Sequence, residues 1–103
     1  MQKNPRLSHA TLKVLRVFMD EPNSGIAGAD VWRQTGILSG SLYPILARLE
    51  KAGWLESWWE EINPKEEGRP RKRLYRITGL GQRRAGAAFS ELLPEKGRLA
   101  WSF

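Results

Sequence analysis

The sequence contains no cysteine and a single histidine, His9. Without thiols, disulfides, thiolate metal sites, cysteine nucleophiles and thiol redox chemistry are all excluded. A lone histidine, with no second at ligand spacing and no nucleophile near it in sequence, leaves little from which to build a metal or general-base site. No apolar run approaches the ~18 residues needed to span a bilayer, and the opening MQKNPRLSH has no apolar signal core behind its positive charge. The chain therefore reads as cytosolic, with no membrane role. A Gly-rich phosphate loop, a metal cluster and triad spacing are also missing, so the expectation is a protein that is not an enzyme and carries no cofactor.

What the sequence has in excess is positive charge. Lys and Arg number 17 against 11 Asp and Glu, a net charge of +6 in 103 residues with a pI near 10.2. That balance suggests an anionic partner, nucleic acid ahead of an acidic membrane surface. The length suits one domain and leaves no room for a separate effector-binding domain. The charge is densest in EGRPRKRLYRIT, residues 67–78, where Arg69, Arg71, Lys72, Arg73 and Arg76 fall within eight positions. Charge runs are usually solvated surface, so the meaning of this one depends on its flanks.

The hydrophobic period changes in an ordered way along the chain. From Ser8, a suitable N-cap, residues Leu12, Val14, Leu15, Phe18 and Met19 follow a helical spacing until Glu21-Pro22-Asn23. Residues 24–28 are a break, and 29–35 are long enough for a short second helix ended by Gly36. Leu42, Ile45, Leu46 and Leu49 then recur at i, i+3, i+4 and i+7, marking a third helix over about 39–52 that Ser39 or Ser41 is suited to cap. If the cap is Ser41, Pro44 falls in the first turn, where its missing N–H costs little. The period next drops to two through Trp54–Ile62, turns through the polar stretch 63–70, and alternates again over Arg71–Ile77. EGRPRKRLYRIT is thus the tip and return strand of a hairpin. Thr78 caps a fourth helix, about 78–93, with an apolar stripe at Ala85, Ala88, Phe89, Leu92 and Leu93.

Three helices followed by a hairpin give the order of a winged helix-turn-helix: mainly α with a small β-hairpin, an α+β fold. In that architecture the third helix enters the DNA major groove and the basic wing, residues 63–73, lies on the backbone. Lys65, Arg69, Arg71, Lys72 and Arg73 are then long cations placed to grip phosphate. Arg48 and Lys51 point off the apolar stripe, where solvation and phosphate contact are equally open. Tyr43 follows the core-facing Leu42 and precedes Pro44, so it points away from the core and toward DNA. Trp54, Trp58 and Trp59 fit core or dimer packing better than base stacking.

The residues Gly40-Ser41-Leu42-Tyr43-Pro44, Leu46, Leu49-Glu50, Gly53, Leu55 and Trp59, the wing Gly68-Arg69-Pro70-Arg71-Lys72, and Tyr75, Thr78 and Gly81 together resemble the PadR-type transcriptional regulators over roughly residues 7–93. The resemblance implies a homodimeric winged-helix repressor of a palindromic double-stranded DNA operator, dimerised through the C-terminal helix and often relieved by a small aromatic or lipophilic effector. Carried over by position, Ser39, Ser41, Tyr43 and Pro44 would face the groove, and Arg69, Arg71 and Lys72 the backbone. The chain departs from the family at Ser24-Gly25-Ile26, where members often have an aromatic-Gly-aromatic entry to the second helix.

The stripe on the fourth helix is long for a core already supplied by the first three helices, which is a second reason to expect Ala85, Ala88, Phe89, Leu92 and Leu93 at a dimer interface. Residues 1–93 then form one DNA-binding domain including this dimerisation helix, and 94–103 a short tail. The alternative function is a protein-interaction module whose basic wing pairs with an acidic partner.

Overall fold

In the computed structural model, which describes residues 4–92, the chain runs α1 (His9–Asp20), β1 (Ile26–Ala27), α2 (Gly28–Thr35), α3 (Ser39–Lys51), β2 (Leu55–Trp59), α4 (Pro64–Glu67), β3 (Arg73–Ile77) and α5 (Gly79–Leu92). The predicted winged helix-turn-helix is the fold observed, and α5 is the expected fourth helix. Leu93 and the tail 94–103 lie outside the described residues.

Ser8 caps α1 as expected, its Oγ accepting from Thr11 N at 3.1 Å, which satisfies one of the helix's orphan donors. The inner face, Val14, Leu15 and Phe18, is fully buried. Helix α2 ends where Gly36 takes φ +73°, a left-handed value that glycine adopts without a Cβ penalty.

Helix α3 corrects the expected capping. Its N-cap is Leu38, with no side-chain cap, so the helix starts ahead of Ser41 and Pro44 lies inside it rather than in its first turn. A proline there removes the bond to the Gly40 carbonyl and costs about 3 kcal/mol. Burial of Leu42, Ile45, Leu46 and Leu49, each at most 4% exposed, contributes about 1.5–3 kcal/mol apiece and outweighs it. The helix closes in a Schellman turn: Trp54 N donates to Leu49 O at 2.9 Å and Gly53 N to Glu50 O at 3.0 Å, with Gly53 at φ +82°.

The sheet has three antiparallel strands in the order β1-β3-β2, not the two of a simple hairpin. The two-residue β1 occupies part of the stretch expected as a break, pairing Ile26 with Tyr75 and Ala27 with Leu74. Across β2 and β3, Leu55 faces Ile77, Ser57 faces Tyr75 and Trp59 faces Arg73 on one side; Glu56 and Arg76, and Trp58 and Leu74, pair on the other. The first side is core at Leu55, Tyr75 and Ile77 and runs out beyond the core at Trp59, which is 59% exposed.

The polar stretch 63–70 holds a helical turn, α4, where only a turn was expected. Asn63 caps it by accepting from Lys65 N at 3.0 Å, Pro64 fills its first position, and Gly68 ends it at φ +68°. Thr78 then joins α3, the sheet and α5. Its N donates to Trp54 O at 2.9 Å, its Oγ1 donates to Gly53 O at 2.6 Å and accepts from Gly81 N at 3.0 Å.

Candidate nucleic-acid interface

Helix α3 turns its buried stripe to the core and leaves Ser39, Gly40, Ser41, Tyr43, Pro44, Ala47, Arg48 and Lys51 exposed. Ser39, Ser41, Pro44 and Arg48 are thus all accessible, as a groove-reading helix requires. Tyr43 is 46% exposed and also packs against α2: a Cβ on Gly28 would meet its ring at 2.8 Å. One edge of the ring is therefore packed and the other accessible.

The wing cations separate into two groups. Arg69 is engaged, its Nη1 and Nη2 donating to the Glu60 carboxylate at 2.7 and 3.1 Å. Glu60 also accepts from Lys72 N at 3.2 Å, and its own N donates to Lys72 O at 2.9 Å, so one glutamate ties both sides of the wing base together. The Arg69 guanidinium holds the Glu60 carboxyl below its usual 4.5, and Glu60 in turn raises Arg69. A lowered carboxyl pKa means that this clamp is present above the ordinary carboxylate range and is lost as pH falls through the folded value. Arg73 is engaged too, donating to Ser57 Oγ from Nε and Nη2. On the other side of the sheet Arg76 pairs with Glu56 at 2.5 Å and lies over the Trp58 ring.

Lys65, Arg71 and Lys72 form the second group. Among the described residues Arg71 spends only Nε, on Ile62 O at 3.1 Å. Lys65 and Lys72 are exposed, and among the described residues neither makes an ion pair. Glu61, Glu66 and Glu67 are exposed nearby, so the wing is less cationic than the run 69–76 alone implies. Sequence reasoning counted Arg69 and Arg73 with the free cations and missed Glu50, Ser57 and Glu60, the residues that hold them.

At Ser24-Gly25-Ile26 the structure accounts for the glycine, which the Trp58 ring approaches closely, and not for the missing aromatics on either side. A Cβ at position 25 would lie 2.8 Å from Trp58 Cζ2, so the Trp58 ring covers the glycine from the sheet.

The profile of the transcriptional regulator PadR-like family matches residues 14–87. Among solved structures, AbfR of Staphylococcus epidermidis is 22% identical with a TM-score of 0.67, covering 87% of this chain and 58% of that one. MepR of S. aureus, solved in a complex with DNA, is 12% identical with a TM-score of 0.66, covering 82% and 63%. A PadR family transcription regulator from Clostridium difficile R20291 is 17% identical with a TM-score of 0.68, covering 82% and 86%. The chain thus spans less than two thirds of the length of AbfR and MepR, and at these identities the likeness is one of fold. No curated protein matches the chain.

Proposed function

The chain belongs to the PadR-like family of transcriptional regulators, and from that premise we propose that it is a homodimeric repressor that reads a palindromic double-stranded DNA operator. Helix α3 enters the major groove with Ser39, Ser41, Tyr43, Pro44 and Arg48 toward the base edges and flanking phosphates. The wing lies on the backbone through Lys65, Arg71 and Lys72. The expectation that the chain is not an enzyme stands on the same membership.

The observation that carries this reading is the pairing of two surfaces: an exposed α3 face free of core duties, and the wing cations Lys65, Arg71 and Lys72, which make no ion pair among the described residues. Groove contacts then supply discrimination and wing contacts supply affinity that falls with salt. The net charge of +6 favours the approach to DNA as a whole. An exposed apolar depression on the wing, lined by Trp59, Ile62, Pro64 and Pro70, favours the protein-interaction alternative.

The test is a titration of the protein against a random duplex pool and against the duplexes it enriches from that pool, at two salt concentrations. Enriched duplexes binding more tightly than the pool, with affinity falling as salt rises, is the expected result. Binding that fails to discriminate among sequences would shift the assignment to the protein-interaction module.

A further inference from the structure

Glu50 lies in the last turn of α3, Ser57 in β2 and Arg73 at the start of β3. Their side chains form one connected set of hydrogen bonds. Ser57 Oγ donates to Glu50 Oε2 at 2.5 Å and accepts from Arg73 Nη2 at 2.8 Å and Nε at 3.1 Å. Arg73 Nη2 also approaches Glu50 Oε2 at 4.0 Å, and its guanidinium stacks over the Trp59 ring, 5.1 Å from the centroid. A cation at the base of a phosphate-gripping wing is thereby turned inward, onto the helix.

From this geometry we infer that Ser57 is the positioning residue of the DNA contact: its hydroxyl fixes the wing to the recognition helix and keeps Arg73 off phosphate. The inference rests on the DNA-binding function proposed above. A helix in the groove and a wing on the backbone contact one duplex together only if their separation is held. The Schellman turn at Gly53 and the core packing of Leu49 and Leu55 fix the near ends of α3 and β2, while Glu50–Ser57–Arg73 ties the flank of the helix to the outer part of both strands. The bonds are charge-assisted, but Arg73 and Glu50 are 37% and 38% exposed, so solvent screening limits their effect on global stability. What they set is the angle of the wing.

Ser57→Ala, Ser57→Thr, Arg73→Gln and Arg71→Gln are compared with the wild type by fluorescence anisotropy. The probes are the random duplex pool and a duplex the wild type enriches from it, each over a salt series, with thermal melts confirming folding. Ser57→Ala should lower the enriched-to-random affinity ratio roughly tenfold, the scale of misplacing one base-reading contact, without flattening the salt dependence. Ser57→Thr, which keeps the hydroxyl, should retain the ratio. Arg73→Gln should lower the ratio and leave the salt slope unchanged, whereas Arg71→Gln should reduce the slope by about 0.9, one phosphate contact.

A wild-type ratio in Ser57→Ala, or a slope reduced in Arg73→Gln as it is in Arg71→Gln, would overturn the inference. If Ser57→Ala does not fold, the Arg73→Gln slope and ratio decide. If the wild type binds no duplex at all, the proposed function fails first. The Glu50–Ser57–Arg73 connection is then judged by amide exchange in β2 and β3: exchange quickened by Ser57→Ala and restored by Ser57→Thr supports it, and wild-type exchange in Ser57→Ala ends it.

Discussion

Tyr43 on α3 closes onto Gly28 at the start of α2: a Cβ at position 28 would lie 2.8 Å from both Cε1 and Oη of the tyrosine. The two helices of the helix-turn-helix are therefore in contact through a ring whose other side is accessible. The obstacle to a side chain at position 28 is the far end of a flexible residue, so Gly28→Ala should be accommodated by a swing of Tyr43.

Replacing glycine by alanine in a helix gains up to about 1 kcal/mol, which offsets the packing lost by Tyr43. Gly28→Ala should therefore melt within about 1 kcal/mol of wild type while losing discrimination for the enriched duplex to the same degree as Tyr43→Ala, where a base contact is worth about 1–3 kcal/mol. Thermal melts and duplex titrations read the two effects separately. Discrimination kept in Gly28→Ala but lost in Tyr43→Ala would show that the ring reads DNA from a pose independent of Gly28.

The division of the wing cations makes a second prediction. Arg71→Ala with Lys72→Ala should weaken binding to every duplex about equally and flatten the salt dependence by about 0.9 per lost phosphate contact. Arg69→Ala should act differently, because Arg69 is committed to Glu60. Its loss leaves the carboxylate without its guanidinium and loosens the wing base, so amide exchange at Glu60 and Lys72 should quicken while the salt slope holds. An Arg69→Ala slope reduced as far as that of the double variant would place Arg69 on phosphate.

Gly81 and Gly40 give opposite expectations from the same substitution. A Cβ at position 81 would lie 2.2 Å from the Trp54 carbonyl oxygen, a backbone atom that is also bonded to Thr78 N. Gly81→Ala must push α5 off the sheet and should cost about 1–3 kcal/mol or more, as overpacking does. A Cβ at position 40 would meet no other element within 4 Å among the described residues, and Gly40→Ala should stabilise by up to about 0.5–1 kcal/mol. Melting temperatures of the two variants should move in opposite directions. A Gly81→Ala protein as stable as wild type would contradict the close approach at Trp54.

Much of this architecture was legible because long elements advertise their period. The stripe Leu42, Ile45, Leu46 and Leu49 indicated α3, and the alternation through Trp54–Ile62 and Arg71–Ile77 indicated the strands of the wing. The missed elements are short. A two-residue β1 cannot show alternation, and α4 is four residues whose signals, Asn63 as cap and Pro64 in the first position, also read as a turn. The start of α3 was legible but its cap was not: Ser39 and Ser41 are good cap residues, yet the N-cap is Leu38, with no side-chain cap. The candidate surface was legible only as a set of charges. Which cations are committed depends on pairs such as Glu60 with Arg69 and Glu50 with Ser57, set by strand register and the exit angle of α3, which no local pattern encodes.

The α5 stripe yields the last prediction, and the fold divides its residues. Ala85 is fully buried in the chain's own core and Phe89 packs against that core, so these two have the bland role of helix packing. Ala88 and Leu92 are half-buried, and with Leu93, outside the described residues, they are left as the proposed contact with a second copy. A twofold dimer would set two α3 helices about one DNA turn apart and account for a palindromic operator. Leu92→Glu is the selective disruption, because it leaves Ala85 and Phe89 in place. It should melt close to wild type, sediment as a monomer where the wild type sediments as a dimer, and lose cooperative binding to a palindrome while still binding a half-site. Phe89→Glu should also lose stability, since it strikes the core. A wild-type chain that sediments as a monomer at tens of micromolar and still binds the palindrome tightly would remove α5 from the interface and leave the spacing of half-sites without a structural cause.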